Sequence, residues 1–265
     1  MHRPQSPESC VAVDVFSPDS AHVLAPLDQG LHEAVLANID PAVRKALFGG
    51  LLSNAWIMAA SVGWIFTTAT ALSRKNPLGW AAVALGWAVW ALGVGPIEHD
   101  PALMDVLKTS FARVRPSPIH RTASFPSGHT AADVFTVGAL LFVLLPAVYG
   151  AAQRPGGEGS DAGSGRSGGG DGGGSEAEGS GASGLFGAVY SAQYSWSLWA
   201  LSAATTIVGR VGVDAHWLSD TLAGGALSMA LVGGLAAATQ RLAAAGAPSS
   251  SSVAAVAGEP SERRD

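Results

Sequence analysis

Hydrophobic and polar positions along this chain fall into long blocks. Residues 47–72, 78–97 and 185–208 carry no charged side chain, while 130–148 holds only Asp133 and 218–239 only Asp220. A helix needs about 20 apolar residues to cross a bilayer, so each block predicts a membrane-spanning helix, about five in all. Arg74-Lys75-Asn76-Pro77 forms a short polar turn between the first two spans, and Glu98-His99-Asp100-Pro101 ends the second. Trp80 stands where an interfacial residue belongs, and Trp87 and Trp90 suit packing or the interface. Gly224, Ser228, Gly233 and Ala237 give the last span small faces for close helix contact.

The remaining segments are of other kinds. Residues 1–30 read as a disordered tail, rich in Pro, Ser and Asp and without the apolar stretch of a signal peptide. Residues 31–46 suit an amphipathic helix broken at Asp40-Pro41, where the proline starts a second helix. The stretch up to Pro116 is too polar to cross and predicts an amphipathic helix. Residues 153–184 are dominated by Gly and Ser, a flexible coil inserted in the membrane domain, and 246–265 form a second disordered tail. The predicted fold is therefore all-α, a multi-pass transmembrane bundle over residues 31–245.

Composition agrees. Charged residues make up 13% and apolar ones 48%, a low charge content for a soluble protein. The net charge of −5, with no basic tract, argues against nucleic acid as a partner. Cys10 is the only cysteine, so the chain has no internal disulfide and no thiolate cluster.

Against this apolar background, three polar constellations stand out. Lys108 is followed seven positions later by Arg115-Pro116; on a continuous helix these cations share a face, about 10 Å apart. Pro126-Ser127-Gly128-His129 leads straight into an apolar run, so its first N–H groups and the helix dipole favour an anion. Arg210 precedes His216 and Asp220, which are four apart and share a face if helical, where the carboxylate can orient the imidazole. Cations, N–H donors and two histidines are what transfer of a phosphoryl group demands: charge neutralisation, a nucleophile and an acid for the leaving oxygen. The chemistry alone leaves the roles of His129 and His216 exchangeable.

Together, Lys108-x6-Arg115-Pro116, Pro126-Ser-Gly-His129 and Arg210-x5-His216-x3-Asp220 resemble the type 2 phosphatidic acid phosphatase family, which shares its site with vanadium haloperoxidases. The motifs stand in the family's order, and the resemblance covers roughly residues 47–239. It implies metal-independent hydrolysis of a lipid phosphate or diphosphate, without a cofactor, through a phosphohistidine on His216. His129 would be the acid and Asp220 the residue that holds His216. Lys108, Arg115, Ser127, Gly128 and Arg210 would bind the phosphate. One departure is Gly209, where the family usually has serine; a lost donor to a charged oxygen is worth about 1–3 kcal/mol. The alternative is a membrane protein of the same fold that binds lipid phosphate without turnover. A transporter is disfavoured, since no inverted repeat or broken span is visible.

Two spans separate the first pair of motifs from the third, so all three meet at one membrane face. The positions of Lys and Arg in the loops place that face away from the cytosol, with Arg113 and Arg121 counted near the site; they do not choose between a plasma membrane, endoplasmic reticulum or plastid. Asp133, one turn after His129, either gains from the helix dipole or bonds His129 or a site arginine. Asp214, His99 and His120 read as solvated loop residues.

Overall fold

The computed structural model of the chain describes residues 23–95, 100–119, 122–150 and 192–245. The coil expected at 153–184, the C-terminal tail at 246–265, His99 and His120 lie outside them. Seven helices and no strand occur among the described residues: α1 (Ala25–Asn38), α2 (Pro41–Arg74), α3 (Pro77–Val94), α4 (Ala102–Phe111), α5 (Gly128–Tyr149), α6 (Ala192–Gly212) and α7 (Leu218–Ala245).

Local chemistry explains the boundaries. Asp40 caps α2, its carboxylate accepting the Ala42 N–H at 2.7 Å, with Pro41 in the first turn where no N–H is needed. Asn76 caps α3 in the same way before Pro77. At Ala112, φ is 43°, a left-handed residue that stops α4 four residues before Pro116. The amphipathic helix therefore ends at Phe111, and Arg115 does not share a helical face with Lys108 as expected. The N-terminal tail also differs from expectation, because α1 begins at Ala25 and buries Asp28.

Four helices, α2, α3, α5 and α7, are long and apolar enough to cross a membrane. α6 has 21 residues but a more polar composition; Ser195, Ser202 and Thr206 turn inward and are buried. α5 is the central helix, with every residue from Thr130 to Ala139 buried. Trp64 of α2 joins Phe135 and Leu144 of α5 in the apolar core, while Met58, Val62, Ile65 and Phe66 of α2 face outward. An apolar outer face on a helix with a packed inner face suits lipid as the surrounding solvent.

Packing onto α5 sets the position of the motifs. At Gly224 a Cβ would stand 2.5 Å from the Ser127 carbonyl oxygen, so α7 approaches the start of α5 backbone to backbone. One turn on, the Ser228 hydroxyl donates to the Ala131 carbonyl at 2.6 Å. α6 is also tied to α5: the Trp199 indole donates to the Val134 carbonyl at 2.8 Å and the Thr206 hydroxyl to Asp133 Oδ2 at 3.0 Å.

Candidate active site

The second motif opens α5. Ser127 is the N-cap, its hydroxyl accepting from the Thr130 N–H, and its own N–H donates to the Asp220 carbonyl at 3.0 Å. Ser127 was expected to offer that N–H to a phosphate; the backbone of the third motif takes it instead. The N–H groups of Gly128 and His129, in the first turn, make no hydrogen bond to another described residue and are the donors left for an anion.

The third motif lies at the junction of α6 and α7. Arg210 lies in the last turn of α6, Asp214 turns the chain in a left-handed conformation at φ 63°, and α7 begins at Leu218. His216 therefore sits in the connecting loop, and its relation to Asp220 is not the helical one expected. The imidazole Nδ1 is 2.8 Å from the Ser124 carbonyl oxygen and 3.6 Å from Asp220 Oδ2, so the main chain is its closer partner. Asp220 does three other things. Oδ2 accepts the Trp217 N–H at 3.0 Å, the reach-back half of a capping box, and Oδ1 accepts from Arg113 Nη1 at 2.7 Å. Its backbone carbonyl takes the Ser127 N–H.

The geometry fixes the tautomer of His216. A carbonyl oxygen only accepts, so Nδ1 carries the proton toward Ser124. A guanidinium only donates, and Arg115 Nη1 stands 3.1 Å from Nε2, so Nε2 presents its lone pair. Burial pushes the pKa of His216 well below its ordinary value, and the positive charges of Arg115 and Arg210 add to the effect, with His129 beside them. A neutral imidazole with Nε2 free of hydrogen is the form able to act as a nucleophile or base.

Arg115 and Arg210 bear on His216, and together with Lys108 they bear on His129. Arg115 is braced by Nε to the Thr122 carbonyl and Nη2 to the Thr122 hydroxyl, both at 2.9 Å, and by Nη1 to the Ala215 carbonyl at 3.0 Å. Arg210 keeps a buried Nε that has no hydrogen-bond partner among the described residues. Its charge acts on both His216 and His129. Lys108 Nζ stands 3.8 Å from where a Cβ of Gly128 would be, and bonds Asp100 Oδ1 at 2.6 Å. Lys108 and Arg115 border a cavity of about 520 Å³ whose wall also includes Thr122 and Asp105.

Several participants were not legible in the motifs. Arg113, expected near the site as a loop charge, is 3% exposed and binds Asp28, Ser219 and Asp220 together. Asp214 is buried and pairs with His32 Nδ1 at 2.7 Å, not solvated. Asp133 is fully buried; it bonds Thr206 and neither His129 nor a site arginine. Position 209 faces the first span: a Cβ there would meet Ser53 N at 2.8 Å and the Phe48 carbonyl at 2.9 Å.

Comparison with family models, with curated proteins and with solved structures found no match to this chain.

Proposed function

We propose that this chain is a membrane-embedded phosphatase that hydrolyses a lipid phosphate or diphosphate through a phosphohistidine on His216. The observation that carries the reading is the tautomer of His216. Ser124 takes the Nδ1 proton at 2.8 Å, and the Nε2 lone pair points at Arg115, 3.1 Å away. Such a nitrogen, out of water among cations, is an activated nucleophile beside a ready place for a phosphoryl group.

In this reading the phosphoryl oxygens take over the free donors of Arg115, Arg210, Lys108, Gly128 and His129. Nε2 of His216 attacks phosphorus in line, the ester P–O bond breaks, and His129, protonated while the negative charge of the bound phosphate offsets the surrounding cations, gives that proton to the leaving oxygen. Water then attacks the phosphohistidine, surrendering a proton to His129, and releases phosphate with both histidines restored. Lys108 must exchange Asp100 for substrate, and Arg115 Nη1 must turn from His216 to the phosphate.

Counting α6 as a fifth crossing beside the four helices long enough to span a membrane puts all the motifs, in this reading, at one membrane face, the non-cytosolic one. A 21-residue helix is about 31 Å long, enough for the hydrocarbon layer. A site at the bilayer surface suits a substrate whose tail stays in the lipid.

The second reading is a lipid-phosphate binder without turnover, favoured by Arg115 Nη1 standing 3.1 Å from the Nε2 lone pair that would have to attack. Phosphate release from phosphatidate and from a polyprenyl diphosphate, measured for wild type, His216→Ala and His129→Ala, separates the two. The phosphatase reading expects turnover in wild type and a loss of at least about 100-fold in each variant. Wild-type rates in either variant, or no release by wild type, would sink it. Acid-labile phosphate trapped on His216 identifies the attacking histidine.

A further inference from the structure

The helix that precedes the first span reaches into the site. Asp28 of α1 is 3% exposed, and its carboxylate is fully engaged by α7 and Arg113. Oδ1 accepts the Ser219 N–H at 3.0 Å, Oδ2 accepts the Ser219 hydroxyl at 2.5 Å, and Arg113 Nη2 donates to Oδ2 at 3.0 Å. Ser219 is the second residue of α7, so Asp28 satisfies one of the N–H groups that a helix start leaves open, and places a negative charge at the positive end of the helix dipole. Arg113 completes a ring, with Nη1 donating to Ser219 Oγ at 2.6 Å and to Asp220 Oδ1 at 2.7 Å.

One helical turn along the same face, His32 pairs with Asp214 at 2.7 Å and sets its ring edge-on to Trp217, centroids 5.5 Å apart. Asp28 and His32 thus grip the 214–219 loop on both sides of His216. Between these two anchors the loop is also held by Ser124 and Arg115 at the imidazole, by Arg115 at the Ala215 carbonyl, by Asp220 at the Trp217 N–H and by the Trp217 indole bond to Val114.

We propose that Asp28 is a positioning residue: by holding Ser219 and Arg113 it fixes the start of α7, and through Asp220 and Trp217 the orientation of His216. This rests on the reading of His216 as nucleophile. Asp28→Asn is the discriminating change. It keeps the side-chain shape, turns one acceptor into a donor facing Ser219 or Arg113, and leaves the Arg113–Asp220 pair in place. Gln29→Ala, on the exposed side of α1, is the control.

Two measurements read the variant. Hydrogen exchange over residues 213–221 in detergent reports the clamp whatever the protein catalyses, and at least about tenfold faster exchange of the Ser219 and Trp217 amides is expected in Asp28→Asn. The pH profile of kcat/KM reports free-enzyme groups and does not depend on the folded fraction. Once its loop loosens, His216 becomes more solvated among Arg115, Arg210, His129 and Asp220, and the acidic limb is expected to move toward neutral pH with at least a tenfold fall in kcat. Unchanged exchange overturns the proposal. So does faster exchange with an unmoved acidic limb and wild-type kcat per folded molecule, because Asp28 is then a structural anchor only. If wild type releases no phosphate, the phosphatase reading fails and exchange alone decides whether the clamp exists.

Discussion

Arg115 Nη1 meets His216 Nε2 at 3.1 Å across a sequence separation of 101 residues. The contact ties the first motif to the third without an intervening carboxylate, and it brings a cation to the atom that would receive a phosphoryl group. A second bond from the same nitrogen to the Ala215 carbonyl holds Arg115 against the loop rather than against a headgroup.

A pH consequence follows from this arrangement. His216 is 3% exposed and its pKa is pushed well below 6.5, by burial first and then by the neighbouring positive charges. The unfolded chain therefore binds more protons than the folded one between the depressed value and about 6.5. This contribution to stability is complete above pH 6.5 and falls as the solution becomes more acidic, by at most about 1.4 kcal/mol per pH unit. His216→Gln should flatten the decline of melting temperature between pH 6.5 and 5; an identical decline in the variant would show that other groups cause it.

Vanadate is expected to inhibit in the micromolar range, because its five-coordinate form mimics phosphorus during in-line attack and engages the same cations and N–H groups. Arg210→Gln should weaken that inhibition at least tenfold, since its unpaired Nε is a free donor at the site. Activity should persist in EDTA, the three cations supplying the charge that a divalent ion supplies elsewhere. Loss of turnover on chelation would contradict this.

Gly209→Ser, which introduces the serine usual in the family that the motifs resemble, should lower stability rather than raise activity. The new Cβ would press on backbone atoms of α2 at 2.8 and 2.9 Å, which cannot swing aside as a flexible side chain can. Overpacking of this kind costs about 1–3 kcal/mol. A variant with an unchanged melting temperature and faster turnover would show that α2 yields and that the hydroxyl reaches the phosphate.

Asp133→Asn should leave the alkaline limb of the pH–rate profile where it is. Asp133 bonds Thr206 on α6, and the amide oxygen of asparagine accepts that bond equally well. A shift of the limb would reveal an electrostatic link between Asp133 and His129 that the Asp133–Thr206 bond does not provide.

What the sequence determined by itself was local. Uncharged runs of spanning length announce helices that have no need of water, and Asp40-Pro41, Asn76-Pro77 and Ser127-Gly128 announce where helices start, because capping depends on neighbours in the chain. The motifs placed Lys108, Arg115, His129, Arg210 and His216 among the candidates by residue type and spacing alone. Which atoms meet was a tertiary matter. The end of α4 at Ala112 removed the helical link between Lys108 and Arg115, and the loop before α7 removed the one between His216 and Asp220. Asp28, His32, Arg113 and Ser124 gained their partners from residues 85 to 191 positions away, or from a main-chain carbonyl that has no identity in a sequence. A buried acid in α1 and a solvated acid in a tail are spelled alike; desolvation distinguishes them, and it exists only once the helices have packed.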